Sequence, residues 1–415
     1  MTYEPDYKPQ LRMVEPFPAV VQGKRVVGLK DPLGLSENVV LVPQEVLPLL
    51  ALFDGRHSLR DIQADLSARA GRIVFLDEII DVVRTLDKAF LFEGLTAREA
   101  FLHRTKTYRN QSVRPCSHAG SSYDPDPEKL SAELQWYFSE QGRGPGQPDF
   151  FSKPERPVGL IAPHIDIRAG GACFSRAYHA LAQGQPSDVY VILGTGHAGV
   201  QGMFTAGTLD YQTPLGVTQV DRDVVDLISK EMGRDAAEEE ILHATEHVIE
   251  FQVLFLQHMF SGRHEFKIVP ILCSLSHRVF DSDARFAEKR EMFACYCRAL
   301  RKACLESGKS VCFIASADLD HVGPRYGDEF VPHRGTVEHS LAKDMELLQS
   351  LANLKTDDFI RGIQADDDSR RVCGFSPIVT MMHSMDAAEA ELLNLDFAYV
   401  DDQKSFVSFG AMIFY

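Results

Sequence analysis

The 415-residue sequence has no CxxC pair among its eight cysteines and no apolar run long enough to cross a bilayer. The cysteines, at 116, 173, 273, 295, 297, 304, 312 and 373, are scattered. That excludes a short secreted disulfide framework and predicts free thiols in a reducing cytoplasm. The apolar stretch 46–53 is far too short to span hydrocarbon and is broken by Pro48. The opening MTYEPDYKPQLRMVEPFP lacks the h-region of a signal peptide. Positive charge is also short. Against 59 Asp plus Glu stand 43 Lys plus Arg, a net charge of −16 that sets the chain against nucleic acid and anionic membrane as main partners. Neither a GxxxxGK(S/T) loop nor a GxSxG elbow occurs. The GxGxxG match at Gly194-Thr-Gly196-His-Ala-Gly199 runs on as strand rather than helix, which excludes a dinucleotide fingerprint.

What is present is ordinary globular composition, 45% hydrophobic and 25% charged. A chain of this length has room for two or three domains and needs no disulfide or metal staple. The first hundred residues read as a small α+β unit. Residues 19–21 and 24–29 are β-rich around a Gln22-Gly23 turn, a hairpin signal. Helices are expected over 43–53, 59–70 (Ser58 as N-cap, with Leu59, Ile62 and Leu66 on one face) and 76–88, and a closing strand over 90–92. Residues 99–113 are basic and aperiodic and are expected to be a linker. Residues 127–140 form an amphipathic helix pattern, with Leu130, Leu134 and Phe138 spaced by four. From 158 onward buried-strand runs (VGLIA, VYVILG, FKIVPILC, VCFIASA, LDFAYV, FVSFGAMIF) alternate with helical patterns. This alternation describes an α/β domain with a sheet covered on both faces.

In such sheets ligands gather beyond the carboxyl ends of strands. Three runs deliver reactive side chains there: His164 after VGLIAP, His197 after VYVILGTG, and Asp318, Asp320 and His321 after VCFIASA. Two further segments carry reactive groups. His243-Ala-Thr-Glu246-His247 precedes a helix bearing Glu250, with Thr245 as its expected cap. Cys373 precedes the helical run from Ser376, where a helix N-terminus is expected to lower a thiol pKa. Cysteines 295, 297 and 304 share a helix at spacings that do not bring three thiolates to a metal.

Eight motifs then fall in a recognisable order: Ser117-His-Ala-Gly-Ser-Ser-Tyr123, APHIDIRAGG, LGTGH, Tyr211-Gln-Thr-Pro-Leu215, TEHVIEFQ, SADLDHVG, CGFSPI and VSFGAMI. From residue 114 to 415 the chain resembles the Memo-like family, also called AmmeMemoRadiSam system protein B. The segments LLALFDGRHSLRDIQADL and VVRTLDKAFLFEG resemble a PqqD-like winged helix that contacts peptides. The resemblances imply a winged-helix domain over 1–98, a linker over 99–113, and over 114–415 a metal domain similar to class III extradiol dioxygenases, with a mixed sheet flanked by helices.

The Memo-like resemblance implies a metal site of His164, His197 and Cys373, with Asp318, His321, Glu246 and His247 as catalytic groups. It also implies a radical SAM protein and an AMMECR-type protein as partners. Four departures stand out: Ile165-Asp166 within the PHAGY motif, Ala198 for a second histidine, Ser122 within the WY pair, and Gln252 for a histidine. These leave the three ligands in place and make Asp166 a new carboxylate in the expected pocket. Two imidazoles and a thiolate suit Fe(II) as the expected ion, with Zn and Cu as alternatives. The expected activity is that of a mononuclear non-haem iron enzyme or redox protein. Competing readings are a peptide- or phospho-ligand-binding module with a vestigial pocket, and zinc-dependent hydrolysis.

Overall fold

A computed structural model describes residues 3–36 and 39–415. The chain divides into two compact units, Met1–Asn110 and Gln111–Tyr415.

In the first unit β1 (Glu15–Val21), β2 (Lys24–Lys30) and β3 (Val40–Pro43) form an antiparallel meander with β2 central. Gln22 and Gly23 both take positive φ, 50° and 75°, the hairpin geometry whose twist matches the strands. There follow α1 (Leu47–Leu50), α2 (Leu59–Ala70), α3 (Leu76–Lys88) and α4 (Leu95–Arg109). The Ser58 hydroxyl accepts from the Asp61 amide at 3.2 Å, and the Asp61 carboxylate accepts from the Ser58 amide at 2.9 Å. This reciprocal cap fixes the start of α2. Leu29, Phe53, Leu59, Ile62, Ile79, Val83, Leu86 and Phe92 build this unit's own core.

Three expectations for this unit need correction. The helix expected over 43–53 is a short 3-10 turn followed by the four residues of α1. The strand expected over 90–92 is a single bridge between Leu11 and Phe92, because Phe90 turns the backbone into the left-handed region at φ 57°. The segment expected to be an irregular linker is mostly α4. Residues 95–109 contain no proline or glycine and are rich in strong helix formers, so propensity makes a helix without an apolar stripe.

The second unit runs β4 (Val113–Arg114), α5 (Pro127–Phe138), β5 (Gly159–Ala162), α6 (Ile167–Gln183), β6 (Val189–Thr195), β7 (Phe204–Ala206), β8 (Asp210–Thr213), β9 (Gly216–Thr218), α7 (Arg222–Met232), α8 (Val248–Phe260), β10 (Lys267–Cys273), α9 (Ala287–Glu306), β11 (Val311–Ser316), β12 (Asp318–Val322), α10 (Arg334–Ala352), α11 (Thr356–Gln364), α12 (Phe375–Ser384), β13 (Ala390–Tyr399) and β14 (Phe406–Phe414). Eight strands make a mixed sheet. Its centre, β5-β11-β6-β10, is parallel. β7 joins antiparallel at the β10 edge, and β14 joins antiparallel beside β5. β14 also pairs antiparallel with β12 and β13. Helices α6, α8, α10 and α12 pack on the sheet. The parallel strands are buried along nearly their whole length, as their unbroken apolar runs require. β4, β8 and β9 form a small separate sheet. The parallel centre points the carboxyl ends of β5, β6 and β11 to a single rim, and the reactive segments lie on it.

Candidate metal centre

β5 ends at Ala162, and two residues later His164 is fixed at both ends. Its backbone amide donates to Asp318 Oδ1 at 2.9 Å, and its ring Nδ1 donates to the Ser316 carbonyl at 3.0 Å. The lone pair is therefore on Nε2, which lies 3.1 Å from Cys373 Sγ. His164 is almost fully buried, and burial, with the imidazoles of His197 and His247 adding to it, holds its pKa well below the ordinary range. It is neutral, the form that ligates a metal.

His197 follows β6. Its amide donates to Glu246 Oε2 at 3.0 Å and its Nδ1 lies 3.1 Å from Glu246 Oε1, which again makes Nε2 the lone-pair nitrogen. Glu246 serves His247 in the same way, accepting from its amide at 3.0 Å and its Nδ1 at 3.1 Å. Burial pushes the Glu246 carboxyl up, but the imidazoles of His197 and His247 outweigh it, and the group is held well below the ordinary carboxylate range. The rings of His164, His197 and His247 form a near-equilateral triangle with centroids 5.3, 5.7 and 5.2 Å apart.

Cys373 comes from the loop before α12. Thr195 Oγ1 donates to its carbonyl at 2.8 Å, and the Gly374 amide donates to the Asp318 carbonyl at 2.8 Å. A side chain at 374 would place Cβ 2.4 Å from that carbonyl oxygen, so only glycine lets this loop close on the start of β12. The donor atoms of His164, His197 and Cys373 all lie within 4.8 Å of one another, and so do those of His197, Glu246 and His247. Metal–nitrogen and metal–sulfur bonds of about 2.1 and 2.3 Å place tetrahedral ligands about 3.5 Å apart. The His164–Cys373 separation of 3.1 Å fits that demand with small side-chain adjustment.

From residue 114 to 413 the chain matches the family model described as Memo-like protein. The chain belongs to the Memo-like protein family. Similar proteins are described as MEMO1 family proteins. A MEMO1 family protein of Aquifex aeolicus (strain VF5) is 29% identical over 415 residues, which span 98% of this chain and 100% of the relative. MEMO1 family proteins of Saccharolobus solfataricus and Aeropyrum pernix are 28% and 27% identical over 271 and 277 residues, covering 64% and 66% of this chain and 84% and 87% of theirs.

Around the three donors this Memo-like chain arranges the other expected residues differently from one another. Asp318 stands on the donor side of His164, with Oδ2 3.6 Å from its Nε2, and burial raises its pKa. Tautomer control of His164 falls to the Ser316 carbonyl and that of His197 to Glu246. His321 donates Nδ1 to the Leu319 carbonyl at 3.0 Å, and burial lowers its pKa to about 4. Asp320 turns away. Together with Asp344 it receives Arg370, at 2.7 and 3.0 Å, in a buried brace between β12 and α10.

The lowered thiol pKa expected at Cys373 is overturned. Burial pushes the thiol well above its ordinary value, with the Asp318 charge adding to it, and the proximity of the α12 terminus does not compensate. The N-cap of α8 is His247 rather than Thr245, which leaves Glu246 to serve the histidines. Asp166 is a helix cap: its Oδ1 accepts from the Arg168 amide at 2.9 Å at the start of α6.

Sequence reasoning missed two features. Arg114, fully buried, ion-pairs with Glu250 and donates to the Glu246 carbonyl at 2.7 Å and the His243 carbonyl at 2.9 Å. Tyr326 places its ring edge-on to His321 at 4.9 Å. The signal for it was a tyrosine between Gly323 and Gly327, directly after the DLDHV segment. All eight cysteines are free thiols. No helix among the described residues is long and apolar enough to cross a membrane.

Proposed function

We propose that the chain is a mononuclear non-haem metal protein that takes Fe(II) at His164, His197 and Cys373 and works as an oxidoreductase or redox protein. The observation that carries this reading is the convergence of two imidazoles and a sulfur from three distant segments, with Nδ1 of both rings anchored to oxygen acceptors. Such outer hydrogen bonds are what metal-ligating histidines use to hold tautomer and orientation. Three protein donors leave coordination positions open, and the resemblance to iron-holding folds favours Fe(II) over Zn or Cu. The bound ion would supply Lewis acidity and one-electron chemistry.

The chain's own residues do the rest. Glu246 orients His197 and His247, and Asp318 fixes the His164 backbone. His247 and His321 each keep a ring nitrogen for moving a proton. The side chains of His197 and His247 are 35% and 29% exposed against 3% for His164, so a substrate enters past the first two.

Anaerobic purification with metal analysis and absorption spectroscopy tests the reading. The full chain is expected to carry about one iron with a thiolate-to-metal charge-transfer band. Cys373→Ser removes the band, and His164→Ala with His197→Ala removes the metal. Full metal content in the double variant overturns the site.

The resemblance also supports a radical SAM protein and an AMMECR-type protein as partners, with the first unit as a peptide-contact module. Capture with the full chain from a native lysate is expected to recover at least one of them. Recovery of neither counts against the partnership.

A further inference from the structure

The candidate site is rich in acceptors and poor in donors. His164, His197 and His247 each spend their Nδ1 hydrogen on a carbonyl or carboxylate, and His321 spends its own on Leu319. In the neutral form that binds a metal, all four rings present only a lone pair on Nε2. Once a metal is bound, the Cys373 thiolate adds a further acceptor, as do Asp318 and Glu246. An anionic ligand entering this site meets no hydrogen-bond donor among those groups.

Tyr326 is placed to be that donor. It ends a 3-10 turn, Pro324–Tyr326, directly after β12. Its ring stands edge-on to His321 with centroids 4.9 Å apart and planes at 84°. The ring is half-buried, and its hydroxyl has no hydrogen-bond partner among the described residues. Burial raises the phenol to about 12. At neutral pH the phenol is an O–H donor.

The turn that carries Tyr326 is locked. Gly323, at φ 122°, lies so close to Ser405 that a Cβ would meet its Cα at 2.6 Å. The Gly323 amide donates to Asp328 Oδ2 at 2.8 Å, and the Arg325 amide donates to Ser405 Oγ at 3.1 Å. Arg371 closes the frame. It pairs with Asp328 at 2.6 Å and donates to the His321 carbonyl at 3.0 Å, two residues before Cys373. The same arginine thus ties the tyrosine turn to the ligand loop, and the phenol stands in place without a loop closure.

We propose that Tyr326 is the ligand-selecting residue of this site, donating its hydroxyl hydrogen to a small ligand with an anionic or carbonyl acceptor atom. The proposal rests on the metal reading above and adds the class of ligand that reading leaves open.

Co(II) serves as a spectroscopic stand-in and azide as the anionic probe. Full-length protein and its Tyr326→Phe variant are loaded with Co(II) anaerobically and titrated with sodium azide, following the visible ligand-field bands. Phenylalanine keeps the ring on His321 and removes only the hydroxyl. The expected result is unchanged Co(II) affinity and an azide dissociation constant about 10- to 100-fold higher in the variant, the loss of one hydrogen bond to a charged group. Unchanged azide affinity in a variant that still holds Co(II) overturns this proposal alone. Loss of Co(II) from the variant also overturns it, because Tyr326 would then support the fold of the site rather than touch its ligand. If the unsubstituted protein takes up no Co(II), the metal reading fails and this proposal with it.

Discussion

Glu246 accepts four hydrogen bonds, from the amides and Nδ1 atoms of His197 and His247. Through these bonds it sets the tautomer and aim of two imidazoles. Glu246→Gln would keep the shape and lose the charge. The expected outcome is a 10- to 100-fold weaker metal affinity, as for other outer carboxylate partners. Competition against a chelator measures it, and an unchanged constant would remove Glu246 from the site's workings. The positions of His164 and His197 were legible because each ends a β-branched run, and strand ends are where α/β sheets expose side chains. The state of Cys373 was not. Its local context suggested a helix terminus, while the dominant influences, burial and Asp318, come from 55 residues away in sequence. Asp166 was misjudged for a related reason: a carboxylate next to a site histidine is equally a cap for the helix it begins, and the cap is its role.

Glu250 ties elements rather than residues. From α8 it accepts from Arg114 of β4, from the Ser117 and His118 amides at 3.0 Å each, and from the Tyr123 hydroxyl. Burial pushes its carboxyl up, but the Arg114 charge and these donors prevail and hold it at about 2 against an ordinary 4.5. A depressed folded pKa stabilises above the unfolded value and is lost as pH falls through the folded one. The contribution, about 3 kcal/mol, is whole at pH 6 and fades between pH 4.5 and 2. Glu250→Gln, which removes the carboxylate facing the buried Arg114 charge, is expected to cost about 3–5 kcal/mol in urea unfolding at pH 6. Its deficit relative to the unsubstituted protein should shrink as the pH approaches 2.5. A constant deficit across that range would show that the charge on Glu250 does not matter.

Elements were legible where the apolar pattern was strong, as one face in α2 and α3 or as a nearly unbroken run in α8 and β14. They were not legible where helix propensity acted alone, as in α4, or where polar positions interrupt the stripe, as in α10, whose buried face includes Ser340 and Asp344. The Asp320–Asp344–Arg370 brace explains those polar positions: Ser340 and Ser408 donate to the two carboxyl groups that Arg370 bridges.

At the scale of the whole molecule, the two units each close their own core. The Aquifex aeolicus relative spans both, whereas the family model covers only the second. Separate cores are expected to melt separately, so calorimetry of the full chain should resolve two transitions. Only the one assigned to residues 111–415 should move upward on adding Fe(II). A single cooperative transition would mean that the units depend on each other for stability.

His164 and Cys373 stand 209 positions apart on the polypeptide yet 3.1 Å apart in space. During synthesis the imidazoles emerge long before the sulfur that completes the set. At the proposed site a ribosome-bound chain would lack the sulfur that completes the donor set, and a metal would be held there only after nearly all of the second unit has been made. Metal occupancy would thus mark a finished molecule, and truncated products would remain unable to compete for a scarce ion.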